Sequence, residues 1–497
     1  MKKIILSIFA LSLIFSMLSA CGEAGEETAG DNIQAEESGP AAPAEEITEE
    51  ISNEAEIMHN LPDDLDFEGY EFKILNTIQD DLHYMNLMME PDSYEDTGEI
   101  INDAAYKRSI EIQEKYNYKI TEIAVGNGAR SSSFKRSATA GDNAYDIACL
   151  SPGESLSAAQ DASIYDINEL VFVELDSPWW DQNARSSMSV LNKIFFCPGA
   201  YELSNFDMTR ILLFNKQLMQ DYGITEDVYQ LANEGRWTQE KFFNMAKLVT
   251  SDLNGDGVYN HEDLFGTGST ADHVVFGSFM MGSGEMTVRK DADDMPYFAT
   301  DSERFNTVFI NMVENFYDGS FYFAPKNVPA AEDWCTDMFD EDRLLFYNIT
   351  FNRIPKFRSM NADFGILPLP KFDEMQENYY CESGSGMLAV IPVTAEDPNK
   401  NGAFLEAYAY YGWSYVVPAY KEVSLKTKMA RDDESAAMVD LIDISRVYDL
   451  GRLFWGATAY DPYVTEFGSA RTGVAAITER NADRVATAIE RTLELFE

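Results

Sequence analysis

Short apolar segments alternate with amphipathic helical segments along most of the chain, and this alternation limits the folds that the chain can adopt. Residues 71–75 and 118–125 have the composition of strands, and residues 101–116 between them have apolar side chains at helical spacing. Residues 145–150 form another short apolar segment before a Ser-Pro-Gly turn. Strands that alternate with helices build parallel sheets covered by helices, so the sequence predicts an α/β fold.

The same alternation continues towards the C-terminus of the 497-residue chain, which is long enough for more than one domain. The predicted strands there are residues 193–198, 211–215, 344–347, 364–367 and 387–391. The predicted helices are residues 238–249, 402–411 and 481–496. In open α/β sheets ligands bind beyond the carboxyl ends of the strands. We therefore expect a binding site near residues 76–81 and 151–154.

The N-terminus has the features of a lipoprotein leader. Lys2 and Lys3 precede an apolar run over residues 4–17, which is too short to cross a bilayer comfortably. Leu-Ser-Ala then leads to Cys21, whose thiol is the group that a diacylglycerol needs. The sequence predicts a signal peptide over residues 1–20 and a lipid anchor at Cys21 on the extracytoplasmic face of the cell membrane. The alternative is an ordinary secretory leader followed by a chance cysteine.

Residues 21–60 are predicted to be a disordered tether behind the lipidated cysteine. This segment is rich in Glu, Ala, Gly and Pro, and residues 22–60 contain no Lys, Arg or aromatic side chain. Such a composition cannot bury enough apolar surface to offset the entropy of ordering, and its like charges extend it. We expect it to hold the folded body away from the membrane.

The charge balance excludes some classes of partner. The chain has 37 basic and 85 acidic residues, a formal net charge of −48. Nucleic acids and anionic membrane surfaces require a cationic protein face, so neither is an expected partner. The charge also disfavours an anionic ligand, although a local arginine can override a screened long-range field.

Four cysteines remain after Cys21, namely Cys149, Cys197, Cys335 and Cys381. They are far apart and form no CxxC pair, so a zinc site is not expected. We expect buried free thiols, and the sequence cannot choose among the three possible pairings if they oxidise.

One acidic segment matches the calcium loop D-x-[DN]-x-[DN]-G-x5-E except at its twelfth position. Oxygen ligands stand at alternate positions, a glycine allows the sharp turn, and an aspartate replaces the usual final glutamate. The predicted Ca²⁺ ligands are Asp252, Asn254, Asp256, the backbone carbonyl of Val258, Asn260 and Asp263. We expect a structural ion, and the alternative is an acidic surface turn.

Several stretches in order resemble the family 1 extracellular solute-binding proteins, the sugar-binding class that includes maltose-binding proteins. Residues 194–199 and 210–216 resemble the first crossover between lobes and the strand after it, and residues 364–370 resemble the second crossover. Gly-Arg-Trp-Thr at 235–238 opens a helix as in that family, and residues 387–392 and 399–411 resemble its return strand and helix. Further likeness to a lipoprotein subgroup lies at residues 416–420 and 445–449. The resemblance covers about residues 61–497.

The resemblance implies a two-lobed periplasmic-binding-protein fold of type II. One lobe would comprise residues 61–198 with 368–415, and the other residues 199–367 with 416–497. A small ligand, by family a mono- or oligosaccharide, would bind in the cleft and close it. The closed form would be recognised by the membrane subunits of an ABC transporter, and the binding protein itself would be a monomer.

Ligand-site candidates follow from residue type and from position in the resembled fold. Aromatic residues make up 13% of the chain, and sugars stack their C–H faces on such rings while their hydroxyls bind polar groups. The candidate stacking residues are Trp455 and Trp180. Arg353 is the foremost polar candidate, since a guanidinium can span two hydroxyls or one carboxylate. The other candidates are Phe351, Asp80, Asp81, Glu154, Tyr201, Glu202, Asp272 and His273.

Motifs of catalysis are sparse, and we expect a binding protein without enzymatic activity. The chain has no HExxH, G-x-S-x-G or Walker sequence. Two alternatives remain open at this point. A calcium-stabilised glycoside hydrolase needs only two carboxylates, and a ligand-sensing lipoprotein for a sensor kinase would share the same fold.

Overall fold

The computed structural model describes residues 58–77, 100–325, 334–384, 386–421 and 432–496. By their contacts, the described residues form one unit. The predicted signal peptide, Cys21 and nearly all of the tether lie outside the described residues and stay predictions. Asp80 and Asp81 also lie outside them.

Strands and helices alternate through the described chain, as the sequence predicts. The strands are β1 (Tyr70–Asn76), β2 (Tyr118–Ala124), β3 (Ile147–Leu150), β4 (Arg210–Asn215), β5 (Phe265–Ser269), β6 (Val288–Lys290), β7 (Pro296–Phe298), β8 (Phe321–Phe323), β9 (Leu344–Thr350), β10 (Phe364–Leu367), β11 (Cys381–Glu382), β12 (Leu388–Val390) and β13 (Arg446–Val447). The helices are α1 (Ile100–Tyr116), α2 (Arg130–Ala140), α3 (Pro152–Gln160), α4 (Gln182–Met188), α5 (Ser204–Asp207), α6 (Lys216–Asp221), α7 (Val228–Asn233), α8 (Gln239–Val249), α9 (Asp272–Gly282), α10 (Glu303–Phe316), α11 (Trp334–Asp340), α12 (Pro398–Tyr411), α13 (Val417–Ala419), α14 (Asp433–Ile444), α15 (Leu450–Trp455), α16 (Asp461–Phe467) and α17 (Val474–Phe496).

The first sheet has the strand order β12-β3-β1-β2. β1 pairs in parallel with β2 and β3, and β12 runs antiparallel to β3. Phe72 and Ile74 of β1 are fully buried and share a core with Phe404 and Tyr408 of α12. The carboxyl ends of β1, β2 and β3 therefore lie at one edge of this sheet, together with the N-terminal end of β12.

The second sheet has the order β10-β4-β9-β5-β8. β5 is parallel to β8 and β9, whereas β4 is antiparallel to β9 and pairs its first residue, Arg210, with Thr350. The start of β4 therefore lies at the same edge as the carboxyl ends of β5, β8 and β9. Apolar side chains cover the two faces of the sheet, among them Phe346 on one and Phe339 on the other.

Helix α17 contributes to the cores around both sheets. Ile477 packs in the core beside the second sheet, while Val485 and Ile489 pack with Ala148 and Leu150 of β3. The predicted lobe boundaries, which stay a prediction, place the whole of this helix in the second lobe. Its side chains nevertheless pack in the cores beside both sheets. The helix is also longer than the predicted residues 481–496.

The predicted strand over residues 193–198 is wrong. Ile194 and Phe196 are buried, which explains their apolar pattern, but the backbone there bonds to loops and not to a neighbouring strand. Ile194 N–H donates to the Asp166 carboxylate at 3.0 Å, and the Pro198 carbonyl accepts from Asp181 N–H at 2.9 Å. Pro198 has no N–H to offer a ladder.

Two further expectations concern the cysteines and the membrane. Cys149, Cys197, Cys335 and Cys381 are free and buried, as predicted. Within the described ranges, no helix combines the length and the apolar character that crossing a membrane requires.

Candidate ligand-binding site

Four side chains meet at the edge of the first sheet where the carboxyl ends of its parallel strands lie. This first edge consists of Thr77, Arg130, Glu154 and Met387. Glu154 completes a capping box at the start of α3 by accepting from Ser151 N–H at 2.9 Å. Arg130 Nε donates to the same carboxylate at 2.8 Å, and its Nη1 lies 3.3 Å from Thr77 Oγ1 and from Met387 Sδ. Burial tends to raise the pKa of Glu154, but bonds from Ser151 and Arg130 hold it below its usual value. This edge therefore carries a satisfied ion pair.

A second set of polar side chains lies at the corresponding edge of the second sheet. This second edge consists of Arg210, Asp272, His273 and Arg353. Arg210 begins β4 and faces the end of β9, and Arg353 follows that end within the 3-10 helix Phe351–Phe357. Asp272 and His273 open α9 just beyond β5. The antiparallel insertion of β4 is what brings Arg210 to the end of the strands that carry the other three residues.

The second edge is electropositive. The pKa of Arg210 is lowered to about 10, first by burial and then by the charges of Arg452 and Arg353. The pKa of His273 is lowered by burial and then by Arg452 and Arg210, against smaller opposing effects of Asp272 and Asp461. Like charges lower the pKa of a base because they disfavour its protonated form. Three guanidinium groups therefore act on one region.

Arg452 of α15 is the third guanidinium group near the second edge. It forms an ion pair with the buried carboxylate of Glu382, which also accepts from Ser278 Oγ at 3.0 Å. Its guanidinium lies 5.7 Å from the ring centroid of Tyr460, whose hydroxyl donates to the carbonyl of His273 at 3.4 Å. A Cβ at position 277 would lie 2.5 Å from that hydroxyl, so the glycine there lets α9 approach.

Comparison with protein-family models identifies the chain. Residues 92–420 match the model for "Bacterial extracellular solute-binding protein", which is about two thirds of the sequence. The chain belongs to this family. Proteins of this family bind solutes and are not enzymes, which removes the glycoside hydrolase alternative. No relative matches in the comparison with curated protein sequences.

Solved structures of binding proteins resemble this solute-binding protein over most of its length. The sugar-binding protein MalE of Xanthomonas citri has a TM-score of 0.59 at 12% identity, covering 86% of this chain and 99% of its own. The Listeria monocytogenes ABC substrate-binding protein Lmo0181, in complex with cycloalternan, gives 0.53 at 10%, covering 85% and 99%. UgpB of Mycobacterium tuberculosis, in complex with glycerophosphocholine, gives 0.54 at 14%, covering 79% and 96%. The likeness confirms the predicted two-lobed, type II α/β fold.

The predicted aromatic stacking residues of the solute-binding protein are buried in its core. Trp180 Nε1 donates to Glu406 at 3.0 Å, and Trp455 Nε1 donates to Thr492 Oγ1 at 3.1 Å. Their exposed fractions are 2% and 5%, and Phe351 is fully buried against Phe206. No ring face of the three is open to a sugar in this conformation, since each side chain belongs to the packing between helices or loops.

Tyr201 and Glu202 are also buried, and they join the segment after residue 198 to β12. The Tyr201 hydroxyl donates to the Cys197 carbonyl at 3.0 Å and accepts from Ala389 N–H at 3.0 Å. Glu202 accepts from Ser204 and Asn205, and burial raises its pKa to about 7. Both residues therefore stabilise the crossover segment and its contact with β12.

A cavity of about 200 Å³ lies beside this crossover segment. Its lining includes Trp180, Glu202, Trp413, Tyr420 and Arg446, and it contains none of the residues of the first or second edge. Asn205, which also lines the cavity, donates from its side-chain amide to the Met387 carbonyl at 3.0 Å, so the cavity adjoins the first edge.

The structure thus brings together three of the predicted residues at the second edge, namely Arg353, Asp272 and His273, and places Glu154 at the first. Arg130, Arg210 and Arg452 are the residues that sequence reasoning missed. Arg210 stands just before the predicted strand over residues 211–215, and only the antiparallel pairing of β4 turns that position towards the site. Arg452 lies in α15, far along the chain from both Arg210 and Arg353, with no local motif to mark it.

The predicted calcium loop is closed by its own carboxylates. Asp252 accepts from the N–H groups of Gly255 and Gly257 at 2.6 and 2.9 Å. Asp263 is fully buried and accepts from Leu253 and Asn260 N–H, each at 2.9 Å. Gly257 has φ +77°, the left-handed conformation that the sharp turn requires. Among the described residues, no group of three or more His, Cys, Asp or Glu side chains is placed to hold a metal ion.

Proposed function

We propose that this solute-binding protein captures a carbohydrate for an ABC importer, with the ligand held between the first and second edges. The supporting observation is the convergence of hydrogen-bond donors at the second edge, where guanidinium, imidazole and phenol groups surround one region. Oxygen-rich ligands such as sugars need this kind of lining. Two of the similar structures are a sugar-binding protein and a complex with cycloalternan.

Ligand binding would favour the conformation in which the two edges face each other. A ligand shifts a conformational equilibrium only by its differential affinity for the two states. Contacts to Arg130 and Glu154 on one side and to Arg210 and Arg353 on the other would supply that difference. The closed form would then present the surface that the transporter's membrane subunits recognise.

The test of the proposed function is a thermal-shift screen followed by calorimetry with mono- and oligosaccharides, amino acids and short peptides. A bound sugar raises stability in proportion to RT ln(1 + [L]/Kd), so the melting temperature increases with sugar concentration. Tight binding of a peptide, with no response to any glycan, would contradict the carbohydrate assignment.

We also propose that Cys21 carries a lipid and holds the protein at the extracytoplasmic face of the membrane. The support is the apolar run over residues 4–17 directly before Leu-Ser-Ala-Cys. Cys21→Ser should incorporate no labelled palmitate, whereas Cys149→Ser should incorporate as much as the parent. Equal incorporation by Cys21→Ser and the parent would contradict this proposal.

Finally, we propose that the loop from Asp252 to Asp263 binds a structural Ca²⁺. Supporting features are the spacing of its oxygens and its closure by Asp252 and Asp263. The exposed side chains of Asn254 and Asp256 would complete the ligand set with the Val258 carbonyl. A chelator should lower the melting temperature of the parent and hardly affect Asp256→Ala. The same response in the two proteins would contradict calcium binding.

A further inference from the structure

We propose that the captured saccharide is acidic, and that its carboxylate, sulfate or phosphate group binds to Arg210 and Arg353 at the second edge. This inference rests on the proposed carbohydrate function and narrows it to one chemical class. The net charge of the chain alone disfavours such a ligand, so the inference depends on a local concentration of positive charge.

The first observation is that Arg210 and Arg353 have no counter-charge among the described residues. Other arginines of the chain are paired there, such as Arg130 with Glu154 and Arg446 with Asp181 at 2.9 Å. Within the described ranges, the side chain of neither Arg210 nor Arg353 forms a hydrogen bond or an ion pair. Arg210 is half-buried, and a desolvated charge without a partner is costly. An anionic ligand would offset that cost.

The second observation is that the acidic groups nearby are already engaged or outweighed. Glu382 is bound by Arg452 and by Ser278 Oγ. Asp272 and Asp461 act on His273, but Arg452 and Arg210 have larger effects on it. The excess of positive charge is therefore a property of the whole region and not of one side chain.

The third observation is the rigidity of the groups that would hold the anion. Arg210 is held by the pairing of β4 between β10 and β9, Arg452 by its ion pair on α15, and Arg353 by the 3-10 helix that continues β9. Guanidinium groups bind carboxylate, sulfate and phosphate through paired N–H donors. Charges held by separate rigid elements need little reorganisation when a ligand arrives.

Calorimetry on the full chain with matched probes tests the inference. The probes are trigalacturonate, its neutral methyl ester, a glucose sulfate, a glucose phosphate and maltotriose. The variants are Arg210→Gln and Arg353→Gln, with Arg491→Gln as the control because this exposed arginine lies on α17 away from the second edge. We expect an acidic probe to bind most tightly, and either edge variant to weaken it by about ten- to a hundredfold. Arg491→Gln should bind like the parent.

The probes distinguish a carboxylate from a sulfate or a phosphate as the bound group. They also distinguish failure of this inference from failure of the proposed function. Preference for the sulfate or the phosphate over trigalacturonate, with the same loss in Arg210→Gln, supports the inference and identifies the group. A neutral probe that binds as tightly as its acidic counterpart, with equal affinity in the two edge variants, overturns the inference and leaves carbohydrate capture standing. Failure of every saccharide, acidic or neutral, overturns both.

Discussion

The arginines of the first edge and of the second edge differ in the partners of their side chains. At the first edge Arg130 is 5% exposed and bonds to Glu154, Thr77 and Met387. At the second edge the side chains of Arg210 and Arg353 have no hydrogen-bond or ion-pair partner within the described residues, and Arg210 also experiences the positive charges of Arg353 and Arg452. The same residue type thus serves packing on one side and stays available on the other.

This difference indicates how the site divides its tasks. A paired, buried arginine contributes to the stability of the unliganded protein, because removal of its partner leaves a charge without compensation. An arginine whose side chain is unpaired adds no ion pair to the folded protein and would gain a partner only when a ligand binds. The first edge would therefore position the ligand, and the second edge would supply the charge that selects it.

Replacement of Trp455 by alanine should have the largest effect on folding. The indole is buried beside Arg452 on α15 and bonds to Thr492 and to the Ala488 carbonyl of α17. Loss of such a side chain should cost about 3–5 kcal/mol in the free energy of unfolding, measured with urea. Trp455→Phe, which keeps the packing, should bind ligand like the parent. A large loss of affinity in Trp455→Phe with unchanged stability would return Trp455 to the ligand site.

Replacement of Glu154 by alanine should have the next largest effect on the free energy of unfolding, and it tests the ion pair of the first edge directly. Arg130 would stay buried without its counter-charge, and the α3 capping box would lose its acceptor. We expect a loss of about 3 kcal/mol in the free energy of unfolding. In the double variant with Arg130→Ala the loss should be smaller than the sum of the two single losses. A strictly additive double variant would show that the two residues are not coupled.

The sequence predicted the strands and helices well where periodic apolar residues lie in one element. β1, β4, β10 and α8 are within a few residues of the predicted segments. The strand predicted over residues 193–198 is wrong because burial in a loop gives the same apolar alternation as a strand. Pattern alone does not specify hydrogen-bond partners.

The site was predictable only in part, for a geometric reason. Residues that follow a parallel strand, such as His273 and Arg353, are found from strand ends alone, and the structure places them at the second edge. Arg210 and Arg452 depend on antiparallel pairing and on the packing of a distant helix, which no local pattern encodes. Trp180 and Trp455 were chosen for their residue type, and their hydrogen bonds to Glu406 and Thr492 could not be seen in sequence.

The buried carboxyl groups also differ between regions of the molecule, in the direction of their pKa shifts. These shifts predict how stability depends on pH. Burial raises the pKa of Glu202, Asp207 and Glu406 to about 7, whereas that of Glu154 is lowered. At these three groups the folded protein binds more protons than the unfolded chain between about pH 4 and about pH 7, so their contribution to stability is lost as pH increases through this range. Glu154 acts in the opposite direction, at lower pH.

The measurement is the free energy of unfolding at about pH 5 and about pH 8. Parent protein should be less stable at the higher pH. Glu406→Gln should lower the free energy of unfolding by about 1 kcal/mol at about pH 5, because one amide oxygen replaces the two oxygens that accept from the Trp179 and Trp180 indoles. The loss should be smaller at about pH 8, because the substitution removes a buried charge there. Stability that increases with pH in the parent would contradict the sign of these shifts.

Replacement of Arg210 by glutamine should have the smallest effect on folding, and it is the variant that most sharply separates the two edges. Without ligand, the substitution removes a half-buried charge that burial and the charges of Arg452 and Arg353 disfavour, and it breaks no side-chain hydrogen bond of the described residues. The free energy of unfolding should change by less than about 0.5 kcal/mol or increase slightly. Arg130→Gln, the matched substitution at the first edge, should instead lose about 3 kcal/mol because Glu154 stays behind. If urea unfolding gave equal losses for the two variants, Arg210 would be a structural residue like Arg130, and the contrast between a paired and an available arginine would fail.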